Sequence, residues 1–157
     1  AASDVYKRQP QIIAVSKTFT MTEILPLIEY GHYHFGENKV QEAFIKWSEV
    51  KTKNKDIKLH MIGRLQSNKV KQAVEIFDYI HSLDNKKLAD TIKKYENQMG
   101  KKLFHFIQVN FADEKQKSGI SLNELNLFYN FKIFVRIISS IAIKYFGLDL
   151  FEIFFLP

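Results

Sequence analysis

The chain has 157 residues, of which 46% are hydrophobic and 25% are charged, and it contains no cysteine. This length fits one domain or a fragment of a larger one, and the balance of apolar and charged residues argues against intrinsic disorder. The lack of cysteine excludes a disulfide scaffold, a thiolate metal site and a cysteine nucleophile, and it is typical of a reducing cytoplasm. The net charge of +6 comes mainly from scattered lysines, which indicate a solvated surface.

Five short apolar runs recur along the chain at intervals of roughly 20–25 residues, about the size of one strand, one helix and two short loops. They cover residues 12–15, 32–35, 57–62, 79–83 and 103–109. Residues 1–10 do not lead into this pattern and lack the apolar stretch of a signal peptide. We therefore expect them to be a non-native extension.

The segments between the apolar runs have the period of amphipathic helices. In residues 40–47, for example, Val40, Ala43 and Trp47 fall on one stripe. Further helices are predicted over residues 22–30, 68–77 and 85–99, and a fifth is predicted to begin at the capping box Ser121–Glu124.

Strands that alternate with helices predict an α/β protein with a parallel sheet. The two candidate architectures are an open doubly wound sheet and a closed (β/α)8 TIM barrel. Polar side chains follow every predicted strand rather than meeting at one switch point, and no glycine-rich phosphate loop is present, so we favour the barrel. Eight units need about 200 residues. The predicted barrel is therefore incomplete, with about five to six β/α units.

We assign residues 11–130 to this partial barrel domain and residues 131–157 to an atypical apolar tail. Charges such as Lys132 and Arg136 interrupt the tail, so that no apolar run reaches the length of a membrane span. Its Phe/Ile-rich composition is typical of an AT-rich gene read out of frame, and we expect the natural frame to be lost near Phe131. The one strand that we predict there, Lys132 to Ile137, would lie beside the fifth strand.

Lys17 ends the first apolar run and would lie at the mouth of a barrel. A lysine in such a place can react, as a neutral amine, with an aldehyde to form a Schiff base. The alternative interpretation is an ordinary surface lysine at a strand end.

Other polar residues near the strand ends have two interpretations each. His60 lies inside the third strand and is either a site residue or a hydrogen-bonded core histidine. Glu37 and Asn38 follow the second strand and are either site residues or a helix cap. Residues 66–69 offer either a cap, at Ser67 or Asn68, or donors beside a helix N-terminus. The spacing of the other histidines predicts no metal site.

Four blocks of sequence carry a resemblance to a known family. They are AVSKT at 14–18, HFGENKVQEA at 34–43, HMIGRLQSNKVK at 60–71 and IQVNFADEKQKSGI at 107–120. In this order and at these spacings they closely resemble the pyridoxal phosphate homeostasis protein family, over roughly residues 11–130.

The resemblance implies a (β/α)8 barrel like the N-terminal domain of alanine racemase, without a second domain. It also implies a non-catalytic, cytoplasmic, monomeric protein that holds pyridoxal 5′-phosphate (PLP) as an aldimine of Lys17 and keeps the pool of this cofactor in balance. The pocket-lining residues that it implies are Asn38, His60, Ser82 and Asn110.

The chain departs from the family pattern in three places. Lys39 and Leu59 stand where the family usually has aromatic residues. The phosphate-binding turns of the family belong to its last strands, and nothing in residues 131–157 matches them. None of these departures touches the aldimine lysine.

Two other functions remain open at this stage. A PLP-dependent amino-acid racemase of the same barrel type would need an added domain and a second acid/base residue. A nucleic-acid-binding module would need basic residues clustered on one face, whereas the lysines here are dispersed.

Overall fold

The computed structural model describes residues 11–110 and 119–121, together with the backbone of residues 135–136. Strands and helices alternate along the chain. The strands are β1 (Ala14–Val15), β2 (His34–Glu37), β3 (Lys58–Met61), β4 (Tyr79–Leu83), β5 (Phe104–Ile107) and β6 (Val135–Arg136). The helices are α1 (Met21–Glu29), α2 (Val40–Lys53), α3 (Val70–Ile76) and α4 (Lys86–Met99), and a 3₁₀ turn at Ser67–Lys69 precedes α3.

The strands form one parallel sheet in which each strand pairs with the strand that follows it in sequence. A doubly wound sheet changes direction at a switch point, whereas a (β/α)8 barrel adds its strands in sequence order. The order β1-β2-β3-β4-β5-β6 is that of the barrel. The predicted barrel-type fold, in incomplete form, is therefore confirmed.

The five predicted strands and the first four predicted helices are confirmed with shifted boundaries. The strand predicted between Lys132 and Ile137 is confirmed at Val135 and Arg136, which pair with His105 and Phe106 of β5. The predicted helix from Ser121, the extension at residues 1–10 and the remainder of the tail lie outside the described residues. No helix in residues 11–110 combines the length and hydropathy needed to cross a lipid bilayer.

The two faces of the sheet carry different side chains, because successive side chains of a strand point to opposite faces. The outer face packs on the helices. The ring of Phe35 lies 4.7 Å from that of Trp47 in α2, and both side chains are fully buried. On the same face His105 of β5 contacts Glu96 of α4, with 3.0 Å between Nε2 and Oε1.

The inner face carries a stack of rings where a barrel usually has branched apolar side chains. The His60 and Tyr79 rings are stacked, with centroids 4.2 Å apart. Tyr79 stacks in turn on Phe104, with a centroid distance of 4.9 Å. The interior described here is therefore aromatic and partly polar.

The loops after β2 and β3 touch each other at Gly63. A Cβ atom built at this position would lie 2.3 Å from the backbone oxygen of Asn38, which is much closer than real Cβ contacts. Only glycine fits at this position without moving backbone, so the close approach fixes the relative position of the two loops.

We predict that Gly63→Ala lowers the free energy of unfolding by about 1–3 kcal/mol, because the added methyl group forces two backbone segments apart. Gly31→Ala is the matched control, since Gly31 has a φ of +97° but no atom within 4 Å of its Cβ position. It should cost about 1 kcal/mol through backbone strain alone. Urea unfolding measures the loss of unfolding free energy in both variants. A smaller loss for Gly63→Ala than for Gly31→Ala would contradict the steric argument.

Candidate functional site

Lys17 lies two residues beyond the end of β1, on the edge of the sheet where the carboxyl ends of the strands meet. Its side chain is exposed, and it has no hydrogen bond or ion pair with any other residue that the structure describes. Active sites of barrel enzymes are built at this edge. The structure therefore offers a free primary amine where a barrel binds its ligands.

Strand register shows which residues lie level with Lys17. Val15 pairs with Gly36, and continuing this register by two residues places Lys17 beside Asn38. The same row continues across β3 to His81 of β4, since Met61 pairs with Ile80. Asn38, a predicted site residue, is therefore a row neighbour of Lys17, and His81, which the sequence analysis did not select, belongs to the same row.

His60 lies two residues below the row of Lys17, because it pairs with Gly36, which pairs with Val15. Its side chain is fully buried, and both of its ring nitrogens are engaged. His60 Nε2 lies 3.0 Å from His34 Nδ1, and His60 Nδ1 lies 2.9 Å from His81 Nε2. The interpretation of His60 as a hydrogen-bonded core histidine describes these contacts, and its contact with a cofactor stays a prediction.

We call His34, His60 and His81 the histidine array. Burial is the main cause of the low pKa of all three rings, and it brings the pKa of His81 to about 4. Burial, with added repulsion from His81, His34 and Lys51, lowers the pKa of His60 to about 2. A neutral ring has one donor and one acceptor nitrogen. His60 must therefore donate to one neighbour and accept from the other, which couples the tautomers of the three rings.

Ser82 and Asn110 differ in how they are held. Ser82 lies within β4 rather than after it, is 2% exposed, and its Oγ has no partner among the described residues. Asn110 lies three residues beyond β5, and its backbone N–H donates to the carbonyl of Ile120 at 2.9 Å. The role of either side chain toward a ligand stays a prediction.

Glu37 is the last residue of β2 and is fully buried on the outer face. Its Oε1 accepts hydrogen bonds from Ser16 Oγ at 2.8 Å, Trp47 Nε1 at 2.9 Å and Lys46 Nζ at 3.0 Å. Its Oε2 has no partner in the described part of the chain. The predicted helix-cap role of Glu37 and Asn38 is wrong, because Lys39 occupies the N-cap of α2.

A cleft of about 310 Å³ opens beside Asn38, between the start of α2 and the loop after β3. Its cationic lining residues are Lys39, Arg64 and Lys69, and no carboxylate lines it. The predicted cap at Ser67 or Asn68 is wrong, since Gln66 holds the N-cap position of the 3₁₀ turn. Lys39 is paired with Glu42 at 2.6 Å, so Arg64 and Lys69 are the lining cations of the cleft that have no carboxylate partner among the described residues.

Sequence reasoning did not identify the histidine array, Lys46 or the partners of Glu37. The contacts join residues up to 30 positions apart, and only the register of the strands brings them together. Within residues 11–110 and 119–121, no group of three or more His, Cys, Asp or Glu side chains has a metal-binding arrangement.

The histidine array should make the fold sensitive to acid. Rings whose pKa lies below the unfolded value of 6.5 stabilise the fold above pH 6.5, and this stability is lost as the pH falls toward the folded values of about 4 and about 2. We predict a loss of about 2 kcal/mol each for His60 and His81 between pH 7 and pH 5. Chemical unfolding at both pH values measures it, and His60→Gln should remove about half of the loss.

The protonation state of the His60 ring in the folded protein provides an independent check of this prediction. ¹⁵N shifts of the ring nitrogens should show neutral His60 in the folded protein at pH 5. A positively charged His60 at that pH, or an unfolding free energy that does not change between pH 7 and pH 5, would contradict the prediction.

No family model matches the chain, but comparison of its sequence with known proteins finds relatives. The pyridoxal phosphate homeostasis protein of Pasteurella multocida is 42% identical over 115 residues, which are 73% of this chain and 49% of that protein. The chain thus spans about half the length of the curated relatives that it matches.

Solved structures give the same result. PipY of Synechococcus elongatus PCC7942, in its structure with PLP bound, superposes with a TM-score of 0.70 at 32% identity, over 88% of this chain and 68% of that one. Alanine racemase of Clostridium difficile 630 superposes with a TM-score of 0.61 at 11% identity, over 82% of this chain and 34% of that one, which shows a shared barrel fold. The chain belongs to the pyridoxal phosphate homeostasis protein family.

Proposed function

We propose that the chain binds PLP through Lys17 and acts in PLP homeostasis without catalysing a reaction of its own. The observation that carries the proposal is the exposed Lys17 amine, which has no partner among the described residues and lies at the ligand-binding edge of a barrel-type sheet. Family membership supports the choice of ligand, because PipY has been solved with PLP bound.

The described residues fit the aldehyde end of this cofactor. The aldehyde supplies an electrophilic carbon that condenses with a primary amine with loss of one water. Lys17 supplies the amine, and its row neighbour Asn38 supplies an amide that can donate or accept a hydrogen bond. The hydroxyl of buried Ser82, which has no partner among the described residues, is a further polar group that a ligand could satisfy.

The charge of the site also suits an anionic ligand. In the cleft beside Asn38, Lys39 is paired with Glu42, but Arg64 and Lys69 have no carboxylate partner among the described residues, so they would attract a phosphate-bearing molecule toward this edge. The loops that we expect to grip the phosphate itself belong to the last strands of the barrel and fall outside the described residues. We assign no phosphate ligand.

We further infer a monomeric protein in a reducing cytoplasm, with no nucleic-acid partner. The lack of cysteine supports the compartment and the dispersed lysines argue against a nucleic-acid partner, while the monomeric state rests on the family resemblance alone.

The proposal predicts one lysine that reacts with PLP. Incubation of the protein with PLP followed by borohydride should fix a single adduct, and mass spectrometry of a tryptic digest should locate it at Lys17. Lys17→Ala should abolish the adduct, whereas Lys93→Ala, at an exposed lysine of α4, should leave it unchanged. An adduct of equal yield at another single lysine in Lys17→Ala would overturn the assignment.

The racemase alternative predicts turnover instead of binding alone. PLP-loaded protein incubated with L-alanine should form no D-alanine above the rate of free PLP, as measured by chiral chromatography. Racemisation that depends on Lys17 would replace the homeostasis proposal with the enzymatic one.

A further inference from the structure

Ser16, the residue immediately before Lys17, is held at each of its polar atoms. Its N–H donates to the Gly36 carbonyl at 2.9 Å, and its hydroxyl donates to Glu37 Oε1 at 2.8 Å. Its carbonyl oxygen accepts from Lys46 Nζ at 2.8 Å and from the Phe19 N–H at 3.1 Å.

The bond to the Ser16 carbonyl acts directly on Lys17. The peptide unit is planar, so this carbonyl and the amide nitrogen of Lys17 lie in one plane. A group that fixes the direction of this carbonyl therefore also fixes the orientation of the Ser16–Lys17 peptide plane, which contains the Lys17 Cα. Lys46 is that group, and it reaches the carbonyl from helix α2.

Glu37 holds Lys46 in place. The Lys46 ammonium lies 3.0 Å from Glu37 Oε1, and the two side chains are 15% and 0% exposed. The indole N–H of Trp47 and the Ser16 hydroxyl bind the same oxygen, so the carboxylate joins β1, β2 and α2 at one point. A buried ion pair often adds little stability over apolar packing, so we expect the contribution of this pair to be geometric.

We propose that Glu37 and Lys46 are positioning residues for Lys17: they orient the Ser16–Lys17 peptide so that the lysine amine points to the ligand at the mouth of the barrel. This inference rests on the proposed function. It goes beyond that function because it assigns a role to two residues that the proposal does not place in the binding site, one of them buried on the outer face of the sheet and the other on helix α2.

The test compares Lys46→Met with Lys53→Met in the full chain. Lys53 is on the same helix and makes an exposed ion pair with Glu49, so it controls for the loss of one positive charge from α2. Lys46→Met should weaken PLP binding at Lys17 at least about tenfold, since small misplacements of a reacting group have effects of this size or larger. Lys53→Met should leave it unchanged.

A second readout needs no cofactor. Hydrogen–deuterium exchange of the segment 14–19 should become faster in Lys46→Met, while exchange in α4 stays as in the wild type. If Lys46→Met leaves Glu37 uncompensated and the protein does not fold, the double variant Glu37→Gln, Lys46→Met replaces it. That variant has no charged side chain at position 37 or 46, and the amide oxygen of residue 37 can still accept from Ser16 and Trp47.

The outcomes separate the two proposals. If the folded double variant keeps wild-type exchange in segment 14–19 and a wild-type yield of the Lys17 adduct, the network is only structural and the positioning role is refuted. If the wild type itself forms no adduct at Lys17, the proposed PLP function fails. The exchange measurement then still decides whether Lys46 orders the peptide before Lys17.

Discussion

The buried carboxylate of Glu37 is the interaction on which the first two β/α units depend. Taking a carboxylate out of water costs several kcal/mol, and donors offset this cost only while their geometry is maintained. Here the donors are Ser16, directly after β1, and Lys46 and Trp47 of α2. A shift of either element would break these hydrogen bonds and leave the buried carboxylate without compensation. Apolar packing, such as that of Phe35 on Trp47, tolerates small slides that this hydrogen-bonded junction does not.

The inner face of the sheet is constrained in a different way. Three imidazoles cross β2, β3 and β4 in one hydrogen-bonded line, and aromatic rings flank them. The array begins at His34, the first residue of β2, and reaches the row of Lys17 at His81. Because the tautomers are coupled, a change of tautomer at His81 requires a matching change at His60 and His34.

Local patterns were enough to predict the barrel-type fold. The spacing of the apolar runs predicted the strands, and polar residues after each strand distinguished the barrel from the doubly wound sheet, as the strand order confirms. The prediction of Lys17 at the mouth used the same reasoning, because the end of a buried strand is a local feature of the sequence. Its place at the strand-end edge is now described, and its reaction with PLP remains to be tested.

Contacts between distant residues could not be predicted in this way. The sequence left Glu37 open between a site residue and a helix cap, whereas its partners are Ser16, directly after β1, and Lys46 and Trp47 of α2. His60 and His81 are both histidines in strands, and only the pairing of Met61 with Ile80 shows that His81 shares the row of Lys17. A single sequence contains the period of each element but not the register between elements.

The sequential order of the strands has a consequence for the growing chain on the ribosome. Each strand pairs with the one synthesised just before it, so every new β/α unit finds its docking edge already present when it emerges. The loops that must close are about one unit long, which keeps their entropy cost low and the contact order modest. Within the described sheet, translation and folding can thus advance together in chain order, because each strand from β2 to β6 pairs with a strand that has already been made.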